Sequence, residues 1–379
     1  MAVAPPLPIA RNTTLLAGAL AMNSATLQLG AAVASLTLVR VVHVDGLLGL
    51  GPAIVLLAGA LSALPAGLLM DRMGRVPVLA GGFSCGIAGC LLAALGSAQG
   101  WAVAVLAGLV LVGTANATGL LARTAAADMY PSERRARGIA LVLFGSVFGA
   151  ILGPAVFSPL LAGHDLDGGA LSTLWIAASG FMVVGLAIVL TVRPDPREIA
   201  AQLARAGLRD EQDDAPAGPA TPLRMLLRRP GVVPALVAAQ ASFAVMVAVM
   251  TLTGAVVVDH HHHSADNVFA IIGAHVIGMF GLIIVVGDLV DGVGRMKALA
   301  GGLLLMAAST ISLLWITSVP ATMAALFGLG LGWNFAFVAA TAVLADSTTA
   351  AERGKLMGFN DLLAGATGAG LALLGGLAL

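Results

Sequence analysis

Gly67-Leu-Leu-Met-Asp71-Arg72-Met-Gly74-Arg75 returns 220 residues later as Gly287-Asp-Leu-Val-Asp291-Gly-Val-Gly294-Arg295. Each copy follows an apolar run of membrane-spanning length and precedes another. A second pair is looser: Asp128 with Glu133-Arg134 and Arg137-Gly138 matches Asp346 with Glu352-Arg353-Gly354, the Asp-to-Glu spacing differing by one residue. A charged turn repeated at one topological place implies a chain of two related halves. Gly74 and Gly294 give the tight turns their backbone freedom. Asp71 and Asp291 sit where a helix ends, able to pair with arginine or to meet the positive N-terminus of a neighbouring helix. With Arg72, Arg75 and Arg295 they form a candidate latch, a gate that holds one access state and releases it. The alternative is a solvated turn that only anchors topology. The second copy carries Gly292 where the first has Arg72.

Working outward, apolar runs cover 13–38, 47–70, 76–98, 101–123, 138–161 and 171–192, then 231–257, 267–290, 296–316, 320–344 and 356–379. Each is close to the roughly 20 residues a helix needs to cross the hydrocarbon. The eleven spans predict an all-α membrane protein with an N-terminal bundle over 1–192, a polar linker over 193–229 and a C-terminal bundle over 230–379. Composition agrees: 59% of the 379 residues are hydrophobic and 10% charged, with mean hydropathy +0.99. A soluble chain carries about 25% charged residues. The 19 basic and 19 acidic residues balance, which argues against a nucleic-acid partner; the expected surroundings are the lipid bilayer, and the expected state is a monomer. Arg40 alone among the Lys and Arg residues falls on one side, so the N-terminus and linker are expected in the cytoplasm. The uncharged Met1–Ala10 stretch predicts no cleavable signal peptide.

The parallel halves and the Gly-x-x-x-Asp-Arg-x-Gly-Arg run resemble the major facilitator superfamily across essentially the whole chain. The resemblance implies two pseudo-symmetric six-helix bundles that rock around a central site. Against that pattern a twelfth helix is missing: either the chain is truncated, or the natural protein ends after eleven spans.

Candidate substrate ligands cluster in two spans. Met246 and Met250 are four residues apart in span 7, as are His275 and Met279 in span 8, so each pair shares a helix face. At 1.5 Å per residue, Met246 lies roughly 18 Å below Val258 and His275 roughly 17 Å below Ser264. The spans run antiparallel, so the four side chains reach similar depths. Thioether and imidazole together suit soft metals, Cu(I) above all. His260, His261, His262 and His263 stand at the mouth as a capture site or as an ordinary polar loop. Methionine is also a common core filler, and a lone histidine in a span also bonds a backbone carbonyl. The Met-x-x-x-Met and His-x-x-x-Met pair resembles the CcoA-like copper importers. That resemblance places metal ligands at Met246, Met250, His275 and Met279, and implies copper uptake across the bacterial inner membrane for cytochrome oxidase assembly.

Asp361, beside Asn360 in span 11, has two readings: a proton-coupling group, or a helix-helix hydrogen bond. Asn23, Gln28, Trp333 and Asn334 are candidate cavity-lining groups. Cys85 and Cys90 point in different directions on one helix, and Gly145, Gly149 and Gly153-Pro154 read as packing or kink positions. There is no phosphate loop and no nucleophile with a base partner, so an enzyme is not expected, and no cofactor beyond copper as the transported substrate. The competing expectation is a proton-coupled antiporter exporting drugs or other organic compounds. It rests on Gly149-x-x-x-Gly153-Pro154, although Phe157-Ser158 stands where that motif has Gly-Gly. A non-transporting sensor is the third reading, disfavoured because a static scaffold needs no repeated latch.

Overall fold

The computed structural model describes residues 7–42, 50–161, 167–207, 221–255, 257 and 265–378. His43, His164 and His260–His263 lie outside the described residues, as does the side chain of Gln28. Among the described residues the structure is helical throughout, without strands.

The first half contains α1 (Ile9–Val42), α2 (Leu50–Met73), α3 (Arg75–Gln99), α4 (Ala102–Leu120), α5 (Ala122–Met129), α6 (Arg135–Leu143), α7 (Gly145–Leu161) and α8 (Gly168–Leu190). The linker contributes α9 (Pro196–Arg205) and the single turn α10 (Leu223–Leu226). The second half contains α11 (Val232–Ala255), α12 (Ala265–Phe280), α13 (Ile283–Val293), α14 (Arg295–Ser312), α15 (Val319–Asp346) and α16 (Arg353–Ala378). Three expected spans are therefore broken. α4 gives way to α5 at Leu121, α6 to α7 at Phe144, and α12 to α13 after Phe280 with a 42° bend. By length and composition, seven helices are able to cross a membrane among the described residues, or eight when the bent pair counts as one span.

Large apolar side chains point outward, among them Leu61, Val103, Ile151, Leu304 and Leu314. In water this surface would be unstable; facing lipid tails it costs nothing, because every helix satisfies its own backbone. Small residues let helices approach closely. Gly145 and Gly149 of α7 lie against Ala17, Ser24 and Ala25 of α1, and a side chain at either glycine would collide with them. The linker helix α9 is short and amphipathic, burying Ile199, Ala200 and Leu203.

Helices of the two halves pack directly on one another. α2 packs on α16, and α13 packs on α6. These contacts set up the site described next.

Candidate functional site

Both copies of the repeated motif end their helix on a left-handed glycine, Gly74 at φ 97° and Gly294 at φ 99°. The turn then starts α3 or α14 with an arginine aimed back at the preceding helix.

In the first copy Asp71 accepts the backbone amides of Gly354 and Lys355 at 2.8 and 2.7 Å, the first turn of α16. The carboxylate thus meets the positive end of a helix from the other half. Arg75 donates to Asp71 at 2.9 Å, to Asp128 at 2.6 Å and to the Ala350 carbonyl at 2.6 Å. Asp128 also holds Arg353, which further donates to the Ala345 and Thr348 carbonyls.

The second copy repeats the arrangement with the halves exchanged. Asp291 accepts the amides of Ala136 and Arg137 at 3.2 and 2.9 Å, in the first turn of α6. Arg295 pairs with Asp291 at 3.0 Å and Asp346 at 2.9 Å, and Asp346 also holds Arg135. Arg72 is exposed beside the latch and does not join it; its carbonyl accepts from Arg197 at 3.3 Å.

This geometry corrects the alignment of the second repeated pair. The counterpart of Arg353 is Arg135, not Arg134: each stands seven residues after its aspartate, Asp346 or Asp128. The one-residue mismatch in spacing came from matching Glu133 to Glu352. Glu133 sits instead in a separate turn, Ser132–Arg134. Arg123 and Arg135, counted among the basic residues on the side opposite Arg40, do not lie in a loop. Both belong to helices and are buried.

Among the described residues, the linker contacts reinforce the first latch. Asp195 accepts the amides of Arg75 and Val76 at 2.9 and 2.8 Å, capping α3 from outside its own helix. Glu352 pairs with Arg229 at 2.8 Å and accepts from Thr221 at 2.5 Å. Burial pushes the Glu352 carboxyl up, but the hydrogen bonds from Arg229, Thr221 and the Thr349 amide outweigh it and hold it at about 2.

Deeper in the protein lies an ion pair with no counterpart in the repeat. Arg123 of α5 donates to Asp361 of α16, joining the halves again. Five residues of helix put Arg123 about 7.5 Å inward from Asp128. Its guanidinium lies over the Phe337 ring at 4.7 Å. Phe337 stacks on Trp333 at 4.7 Å and 11°, and Phe280 meets the edge of Trp333 at 6.1 Å. Asn360 donates to Asp361 at 3.1 Å, and Gln240 of α11 donates to Asn360. Several buried polar atoms around this ladder have no hydrogen-bond partner: Arg123 Nε and Nη1, Asp361 Oδ2, Trp333 Nε1 and Gln240 Oε1. The buried Asn334 side chain has none at either end.

His275 is held close to α15. Its Nδ1 lies 3.0 Å from the Leu326 carbonyl and its Nε2 is buried without a partner. Gly330 permits this approach, since a Cβ there would meet the Met279 amide at 2.9 Å. Met246 and Met279 pack on the apolar cluster of Ile271, Leu326, Leu329 and Trp333. Met250, half-buried, is outside that cluster. Among the described residues no three His, Cys, Asp or Glu side chains gather as a metal site. Asn23 bonds Asn116 within the first half at 3.0 Å. The paired Arg123 and the linker cap Asp195 were the residues that motif reading overlooked.

Helices of membrane-spanning length, halves exchanging reciprocal latches and a buried charge pair between them define a multi-pass transporter. Residues 13–373 match the Major Facilitator Superfamily, and the chain belongs to that family. It is a secondary transporter and not an enzyme. The uncharacterized MFS-type transporter YdeG of Bacillus subtilis is 30% identical over 368 residues, covering 94% of this chain and 82% of that protein. The riboflavin transporter RfnT of Brucella anthropi is 31% identical over 307 residues, covering 80% and 73%. In fold, the chain is similar to the human organic anion transporter MFSD10, at TM-score 0.71 and 16% identity over 98% of this chain and 94% of that one. The proton:xylose symporter XylE gives TM-score 0.67 at 15% identity, covering 97% and 94%.

Proposed function

We propose that this protein moves a small organic solute by alternating access, working as a monomer in the bacterial inner membrane. The bundles 1–192 and 230–379 rock about the linker 193–229, and the latched end, with the N-terminus, faces the cytoplasm. One observation carries the choice of solute: the Phe280–Trp333–Phe337–Arg123 ladder beside Asp361. Stacked rings next to a charge pair suit a flat organic molecule better than a bare ion. Similarity to a riboflavin transporter supports the same class. Proton coupling in this reading runs through Asp361, whose second oxygen has no partner.

Copper uptake through Met246, Met250, His275 and Met279 is the second reading. The unpartnered, buried Nε2 of His275, on the same helix as Met279, favours it. A pair of uptake assays separates the two at equal expression. Cells take up radiolabelled riboflavin and related aromatic solutes, or radiolabelled copper, with the wild type, Trp333→Ala and His275→Ala. The organic reading expects aromatic uptake to fall about tenfold in Trp333→Ala, with copper accumulation alike in all three. Copper accumulation lost in His275→Ala, with no aromatic uptake by the wild type, reverses the choice.

A further inference from the structure

We infer that Arg123 is the binding group for an oxyanion carried by the transported aromatic solute, and that Asp361 is the internal carboxylate this oxyanion displaces. The inference rests on the organic-solute reading and adds the charge the solute must bear.

Buried arginines of this protein differ in how many of their donors they use. Arg75 and Arg353 are fully buried, and each uses Nε, Nη1 and Nη2 in hydrogen bonds. Arg123 is equally buried and spends only Nη2, on Asp361. Its Nε and Nη1 have no partner. The carboxylates divide the same way. Both oxygens of Asp71 and of Asp128 accept hydrogen bonds, whereas Asp361 Oδ2 accepts none. A buried guanidinium with idle donors is costly unless a partner arrives during function.

Symmetry separates this pair from the latches. Latch contacts recur at an offset of 218 residues, Asp128 with Asp346 and Arg135 with Arg353. At that offset Arg123 meets Thr341 and Asp361 meets Leu143. A pair needed only to tie the halves together would have its copy, as the latches do. The unpaired donors also sit against aromatic rings, where a flat solute carrying a carboxylate or phosphate finds stacking and charge together. Taking Asp361's place frees a charged contact by which α5 holds α16, so binding loosens the halves where they must part.

The test uses the purified full chain in detergent and two probes with the same ring system, 2-naphthoate and its uncharged amide, followed by quenching of tryptophan fluorescence. Wild type is expected to bind the acid about tenfold tighter than the amide. Arg123→Gln should abolish that preference; if it folds poorly, the charge-balanced double variant Arg123→Gln/Asp361→Asn replaces it. Asp361→Asn should bind the acid severalfold tighter than wild type and the amide unchanged, an increase that a purely structural pair would not produce. Equal binding of acid and amide by wild type, or a preference surviving in Arg123→Gln, overturns the anion site and leaves the organic-solute reading standing. Binding of neither probe overturns both.

Discussion

The two latches use the same motif and differ in what surrounds them. In the first, the side chains of Arg75, Asp128 and Arg353 are wholly buried. In the second, Arg295 is 17% and Asp346 30% exposed. Backbone size explains part of this. Gly67 faces Gly354 and Gly358, so α2 and α16 approach glycine on glycine. Gly287 faces Arg137 and Ala140, which hold α13 and α6 further apart. Among the described residues the linker adds to this, since Asp195 and the Thr221–Glu352–Arg229 contacts close over the first latch. A sealed ion cluster is strong because a broken pair leaves buried charge behind; a wet one has solvent as a substitute. The second latch is therefore the one that yields first when this end of the protein opens.

The largest expected effect tests that contrast. Asp128→Asn removes the carboxylate charge shared by two buried guanidiniums and should lower unfolding stability by about 3–5 kcal/mol. Asp346→Asn, whose partner Arg295 is partly exposed while its partner Arg135 is buried, should cost less, about 1–3 kcal/mol. Thermal unfolding of the detergent-purified variants measures both, and equal losses would break the comparison. A smaller effect is expected from Gly354→Ala, whose added methyl would meet the Asp71 carboxylate at 2.6 Å. Overpacking there should cost about 1–3 kcal/mol. The pseudo-symmetric position already holds alanine, so Ala136→Gly should cost no more than a helix glycine does, about 1 kcal/mol. Labelling of a single cysteine introduced at the linker end should rise in Gly354→Ala and not in Ala136→Gly.

The smallest effect sharpens the role of the linker. The Glu352 carboxyl is held at about 2, below its ordinary 4.5. A depressed acid stabilises the fold fully above the unfolded value and loses that contribution as pH falls through the folded one. Stability from this contact should thus be flat above about pH 4.5 and decline between 4.5 and 2. In Glu352→Gln that decline should shrink; an unchanged acid profile would remove the linker contact from the account.

The helical fold was legible because lipid imposes one rule on every span, and the repeat was legible because Gly, Asp and Arg recur at fixed spacing. Helix breaks were not. Leu121 and Phe144 are ordinary helix residues, and the nearby Gly119 and Gly145 resemble glycines elsewhere in unbroken spans. Arg123 was misread for a simpler reason. Basic residues near a span end look like topology markers, although Ala122-Arg123-Thr-Ala-Ala-Ala-Asp128 is a run of small residues that suits a helix interior. Its partner Asp361 stood out at once as an acid in an apolar span, yet nothing local could say which cation it would meet.

The latches also carry a lesson about ancestry. Arg353 closes the latch built by Asp71 and Asp128, while Arg135 closes the one built by Asp291 and Asp346. Neither half completes its own. Residue i of one half grips residue j of the other, and the grip is returned, which is the pattern of a two-fold symmetric dimer interface. Two separate copies of a single half would have made these contacts between molecules. In this single chain the exchange holds while its two sides differ: among the described residues the linker straps one latch, and the other is partly exposed.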